Sequence, residues 1–219
     1  MGSLSRREFM KRAGAGTAGL YSMNALSVRP KEGEPQAPHI VYILVDDLGF
    51  GDIQCQNPES RIPTPHINRL AEEGRRFTDA HSASAVCTPT RYGLMTGRYC
   101  WRTRLKSGVL WPPAKPLIPQ DRMTVASFLQ ERGYSTACVG KWHLGLGWTM
   151  DDGNIDFGRP IQPNPTDLGF DQFFGIPGSL DMSPYCYVRN GQVVEKPTVR
   201  VSGEDFGREG LAVEGLKPA

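Results

Sequence analysis

Three short stretches of this chain combine residue types that can do chemistry. Asp46-Asp47 follows directly on the apolar run His39-Ile40-Val41-Tyr42-Ile43-Leu44-Val45. Neighbouring carboxylates repel, so the pair needs a cation or hydrogen-bond donors beside it. An all-oxygen donor set favours a hard ion such as Ca²⁺ or Mg²⁺. The same dipeptide also suits a turn whose Asp side chains cap the loop before Gly49. The second stretch, Cys87-Thr88-Pro89-Thr90-Arg91, puts a thiol at the start of a helix, where free N–H groups and the helix dipole favour negative charge. Arg91 lies one turn further on and can reach the same place. A reactive thiol and a structural cysteine beside a solvated Arg both fit that spacing. The third stretch, Gly140-Lys141-Trp142-His143, joins a cation, an indole and a titratable ring. Taken alone it reads more readily as a solvated loop with one core aromatic.

The surrounding elements must bring these stretches together. The unbroken apolar run 39–45 lacks polar alternation, which predicts a central parallel strand buried on both faces, with Asp46-Asp47 at its carboxyl end. Ligands bind at such ends in open α/β sheets. Thr64-Pro65 opens a helix with Ile67, Leu70 and Ala71 on one face and Gly74 as its stop. Phe77–Ala80 reads as a short strand. A second helix begins around Pro89 and runs through Leu94 and Met95 to Gly97, and a third covers Thr124–Arg132. Thr136–Val139 reads as a short buried strand that empties into Lys141 and His143, whereas 148–165 reads as loop. Alternating strands and helices predict an α/β fold with a mostly parallel central sheet flanked by helices.

Composition sets the outer bounds. The chain has 219 residues, 39% of them hydrophobic and 22% charged, enough for a real core. The formal charge of +2 is concentrated near the start, where Arg6, Arg7, Lys11 and Arg12 face Glu8 alone, so the remainder is close to neutral. That gives no electrostatic case for a nucleic-acid partner. The five cysteines include no C-x-x-C pair and no metal-ligand spacing, so each reads by default as a small buried hydrophobe. Residues 1–28 resemble a twin-arginine export signal: Arg6-Arg7 precedes Phe9 and Lys11, then an apolar stretch too short to span a membrane. Residues 29–38 read as a polar linker, and the folded part as 39–219. The expected location is the periplasm or outside the cell, with the twin-arginine export machinery as partner.

The resemblance rests on two motifs. Cys87-x-Pro89-x-Arg91-x-x-Leu94-x-Thr96-Gly97 resembles the first signature of the type I sulfatases, with Thr90 where Ser is commoner. Gly133-Tyr134-Ser135-Thr136-x-x-x-Gly140-Lys141-Trp142-His143-Leu144-Gly145 resembles the second, in the expected order. The resemblance implies an alkaline-phosphatase-like α/β fold and hydrolysis of a sulfate ester. It implies that a separate maturation enzyme oxidises Cys87 to formylglycine, an aldehyde that hydrates to a gem-diol. One hydroxyl would attack sulfur and displace the alcohol, and loss of the other's proton would expel sulfate and restore the aldehyde. Asp46 and Asp47 would hold a divalent cation, Ca²⁺ or Mg²⁺, with residue 87 also at the metal. Arg91 and Lys141 would neutralise the diol and the sulfate, Lys141 touching substrate directly, and His143 would assist the proton transfers. A fainter match, Gly175-Ile176-Pro177-Gly178-Ser179-Leu180-Asp181, implies that Ser179 contacts sulfate.

Members of this family are usually much longer and complete the metal and sulfate sites with later residues. The chain therefore reads as the front part of such a protein, with little activity expected of it alone. Three alternatives stay open at this point: a phosphate or phosphonate ester hydrolase of the same superfamily, a non-catalytic secreted remnant, and a thiol hydrolase using Cys87 with His143. The sequence does not select among aryl, sugar and other sulfate esters.

Overall fold

Cys87 and Thr96 bound a ten-residue helix, α2, that carries the first motif (Cys87–Thr96). It is preceded by α1 (Pro65–Glu73) and followed by α3 (Val125–Gln130) in a computed structural model that describes residues 37–201 and 215–217. The expected export signal, 1–28, and all but the end of the expected linker lie outside the described residues. Proline at its first position starts α1, as expected, and α1 stops at Gly74. Helix α2 begins two residues before the expected Pro89 and ends on Gly97, whose φ of 64° is the left-handed conformation that glycine adopts without strain. Helix α3 is shorter than the periodicity predicts. Thr124 caps it by accepting from the Ser127 N–H, and the chain turns away after Gln130 towards Gly133.

The main sheet has four strands, β1 (Ala137–Lys141), β4 (Gln172–Ile176), β5 (Val188–Arg189) and β6 (Gln192–Val193), in that order. Strands β1 and β4 are parallel, with Lys141 opposite Ile176, and the sheet continues antiparallel through β5 and β6. The described sheet is therefore mixed. Strand β1 runs two residues further than expected and lies at the edge. For that reason it is not the buried strand predicted, and Val139 is 80% exposed. Gly140 and Gly175 face each other across β1 and β4, so close that a Cβ at Gly175 would collide with the Gly140 carbonyl oxygen.

Three further expectations fail. Residues 37–45 belong to no strand, and Val41 and Ile43 are 82% and 78% exposed. An apolar run becomes a central strand only when neighbouring strands take up its N–H and C=O groups and layers cover both faces. No described strand pairs with it. Phe77–Ala80 is not a strand either, since Phe77 is the one large apolar residue in it and lies exposed. Conversely, the segment read as loop contains the hairpin β2 (Met150–Asp151) and β3 (Asn154–Ile155), turned by Asp152-Gly153, both with positive φ. A last described ladder joins β7 (Val199–Val201) to β8 (Gly215–Lys217).

The core of the unit spanning residues 46–219 gathers Tyr92 and Met95 of α2, Leu110, Leu117 and Ile118 of the following loops, Trp142, Leu144, Phe173 and Val188. Trp142 is the hinge of this packing: its ring meets Phe170 and Phe173 edge-on, and its indole N–H donates to the Gly145 carbonyl. The residue between Lys141 and His143 is thus anchored in the core, which fixes where its two neighbours emerge.

Candidate active site

Lys141 is the last residue of β1, and β4 ends beside it at Ile176. The pairing runs on past the strands: Trp142 donates to the Ile176 carbonyl oxygen and His143 to that of Pro177. The chain after β4 is thereby held against the chain after β1, and Ser179 reaches Lys141, with Nζ donating to Oγ over 3.2 Å. This is the carboxyl end of a parallel pair, the edge where open α/β sheets bind ligands.

Charge converges at this edge. The Lys141 ammonium, its side chain 10% exposed, lies 2.8 Å from Asp46 Oδ2. Arg91 projects from the second turn of α2, donates from Nη1 to the Lys141 carbonyl oxygen at 2.5 Å, and brings Nη2 to 3.7 Å from the same Asp46 oxygen. Its Nε is buried with no hydrogen-bond partner. The hydrogen bond from Lys141 is the main influence holding the Asp46 carboxyl below its usual range. Partial burial opposes it, and the charges of Lys141 and Arg91 reinforce it.

His143 is 1% exposed and adopts a φ of 55°. Its Nε2 lies 2.7 Å from the Leu110 carbonyl oxygen, and Nδ1 is buried without a hydrogen-bond partner. A carbonyl oxygen only accepts, so the neutral ring carries its proton on Nε2 and leaves a lone pair on Nδ1. Burial is the chief cause of a pKa pushed below the ordinary value, with the Lys141 and Arg91 charges adding to it.

Cys87 is half-buried at the first position of α2, a free thiol like the other four cysteines. Burial pushes the thiols of Cys100 and Cys138 up, and that of Cys186 to about 12, which leaves them protonated and inert. Next to Cys87, the Thr88 hydroxyl donates to the His143 carbonyl oxygen, so the start of α2 and the His143 turn are joined directly. Of the residues expected from sequence, Asp46, Arg91, Lys141 and Ser179 form one contact network, and Cys87 and His143 are tied to each other through Thr88. Asp47 is exposed, with φ 54°, and among the described residues makes no hydrogen bond or ion pair with this network. Among the described residues no three of His, Cys, Asp and Glu come together as metal ligands. Asp46 is engaged by Lys141.

Thr88 and Leu110 have no counterpart in the sequence reading. Thr88 occupies an unspecified position of its motif, and Leu110 lies 33 residues from His143 with no pattern linking them.

The family model described as Sulfatase matches residues 38–215. The chain belongs to the sulfatase family. It is 45% identical over 159 residues to an N-acetylgalactosamine-6-O-sulfatase of Bacteroides thetaiotaomicron, which covers 73% of this chain and 30% of that protein. It is 42% identical over 147 residues to human arylsulfatase A, covering 67% of this chain and 27% of that one. This sulfatase chain thus spans under a third of the length of these two relatives. A solved structure from work on glycosaminoglycan metabolism by Bacteroides thetaiotaomicron superposes with a TM-score of 0.71 at 36% identity, over 84% of this chain and 43% of that chain. The mixed sheet and its helices therefore belong to an incomplete alkaline-phosphatase-like α/β fold.

Proposed function

We propose that this chain carries part of the catalytic site of a sulfuric ester hydrolase whose substrate is the sulfate ester of a carbohydrate. The observation that supports this most is the cationic pair Arg91 and Lys141, joined to Ser179 at the carboxyl end of β1 and β4. A sulfate group is a compact anion whose oxygens accept hydrogen bonds. Lys141 Nζ and Ser179 Oγ, 3.2 Å apart, would donate to neighbouring oxygens, and Arg91 would offset charge as it moves from sulfur to the bridging oxygen. The name of the N-acetylgalactosamine-6-O-sulfatase supports a sugar rather than a simple aryl alcohol as the leaving group.

Cys87 suits the family's modified residue: it is half-buried, and it heads a helix. Its conversion turns CH₂–SH into CHO, a two-electron oxidation in which sulfur leaves as H₂S, an oxidant used by a separate maturation enzyme takes the electrons, and water supplies the oxygen. Hydrated, that formylglycine supplies a hydroxyl as nucleophile and a second hydroxyl whose proton can later be removed. His143, neutral and with Nδ1 free, is suited to accept that proton. Asp46 and Asp47 are proposed as carboxylate donors to Ca²⁺ or Mg²⁺. With no third ligand among the described residues, no step is assigned to the cation. The paired arginines near the start support export through the twin-arginine machinery to the periplasm or beyond.

Binding tests this reading. In titration calorimetry the chain should bind N-acetylgalactosamine 6-sulfate and leave the unsulfated sugar unbound. Lys141→Met should weaken binding by about tenfold or more, the loss of one charge-assisted hydrogen bond. Equal affinity for the two sugars would sink the proposal.

A further inference from the structure

Thr88, His143 and Leu110 close a ring of three hydrogen bonds within the core. Thr88 is 0% exposed, and its Oγ1 both donates to the His143 carbonyl oxygen at 3.0 Å and accepts from the Leu110 N–H at 3.2 Å. Leu110 completes the ring by accepting from His143 Nε2 at 2.7 Å. The three residues come from separate segments: the first turn of α2, the turn after β1, and the loop between them. A helical threonine commonly turns its hydroxyl back to its own helix. This one reaches across to the other two segments instead, so both of its hydrogen-bonding capacities are spent on setting His143 and its acceptor.

The geometry points to Thr88 as a positioning residue for His143. Its hydroxyl holds the left-handed His143 turn from the carbonyl side and, through the Leu110 N–H, aims the Leu110 carbonyl at Nε2. Together these contacts select the tautomer with hydrogen on Nε2 and keep Nδ1 as a bare acceptor. Without the hydroxyl, the Leu110 N–H and the His143 carbonyl oxygen lose their partner, the Leu110 peptide is free to turn, and the other tautomer becomes accessible. The functional weight of this rests on the proposed proton-accepting part of His143; the tautomer does not.

The test is ¹⁵N–¹H correlation spectroscopy of the ¹⁵N-histidine-labelled chain, in which protonated and bare ring nitrogens are well separated. Four histidines contribute, and His143→Gln identifies the relevant pair. The wild-type ring should show hydrogen on Nε2, as should Thr88→Ser, which keeps the hydroxyl. Thr88→Val, which keeps the shape and loses the hydroxyl, should lower the ratio of the Nε2–H to the Nδ1–H tautomer about threefold to tenfold. A folded Thr88→Val with the wild-type ratio overturns the assignment. So does hydrogen on Nδ1 in the wild type, a result that needs no variant to fold. Either outcome leaves the sulfatase reading standing, whereas failure to bind the sulfated sugar leaves the tautomer result intact.

Discussion

Replacing Arg91 by Lys keeps a positive charge in place and removes the planar fork. Arg91 makes two contacts of unequal worth. The Nη1 hydrogen bond to the Lys141 carbonyl oxygen, from a side chain 14% exposed, is a bond from a charged donor in a part-buried setting. Such bonds contribute about 1.5–3 kcal/mol. The approach of Nη2 to Asp46 is 3.7 Å long, and Asp46 is 42% exposed. Solvent screening reduces that pair to below about 1 kcal/mol, and a lysine retains part of it. Lysine at position 91 cannot reproduce the fork geometry. The expected loss in Arg91→Lys is therefore about 2 kcal/mol, which for a chain of this size lowers the melting midpoint by roughly 4–8 °C. Thermal and urea unfolding followed by circular dichroism, with wild type and variant side by side, measure the shift in midpoint and the loss in free energy. A variant melting within about 1 °C of wild type would refute the reasoning, because it would mean that charge alone, and not the bond to the β1 carbonyl, holds the helix to the sheet edge.

Three further outcomes follow from the same structure. Gly175→Ala places a methyl against the Gly140 carbonyl oxygen and should destabilise by about 1–3 kcal/mol in urea melts, with β1 and β4 forced apart. Trp142→Ala removes the ring that packs on Phe170 and Phe173 and should cost about 3–5 kcal/mol by the same assay, because a large buried ring leaves a cavity. His143 has a pKa below its ordinary 6.5, so the unfolded chain binds its proton first as the solution is acidified. Its contribution to stability is present above 6.5 and is lost as pH falls from there towards the folded value. Melts across that interval should show a drop that is smaller in His143→Gln.

Local signals carried much of this fold, and long-range ones carried little. Pro65, Gly74 and Gly97 punctuate helices as their backbone preferences dictate, and the two motifs place Arg91 and Lys141 on elements that do meet. The Asp152-Gly153 turn was equally readable, yet the short strands beside it lack the alternation that marks a hairpin. The run 39–45 shows the opposite case. Its composition suits a buried strand, but burial and pairing depend on neighbours that a pattern of residues does not contain. The site divides similarly. Charged residues in a motif announce themselves, whereas the Leu110 carbonyl that fixes the His143 tautomer is a backbone atom 33 residues away, and any side chain there would offer it.

Mass spectrometry of the peptide that carries Cys87 tests most directly whether this residue is oxidised to formylglycine. Chain made in a cell that contains the formylglycine-generating enzyme should yield that peptide with CHO in place of CH₂–SH at position 87, reactive towards hydrazide reagents. The other four cysteines should remain thiols in the same sample. An intact thiol at Cys87 in all of the chain would contradict the account.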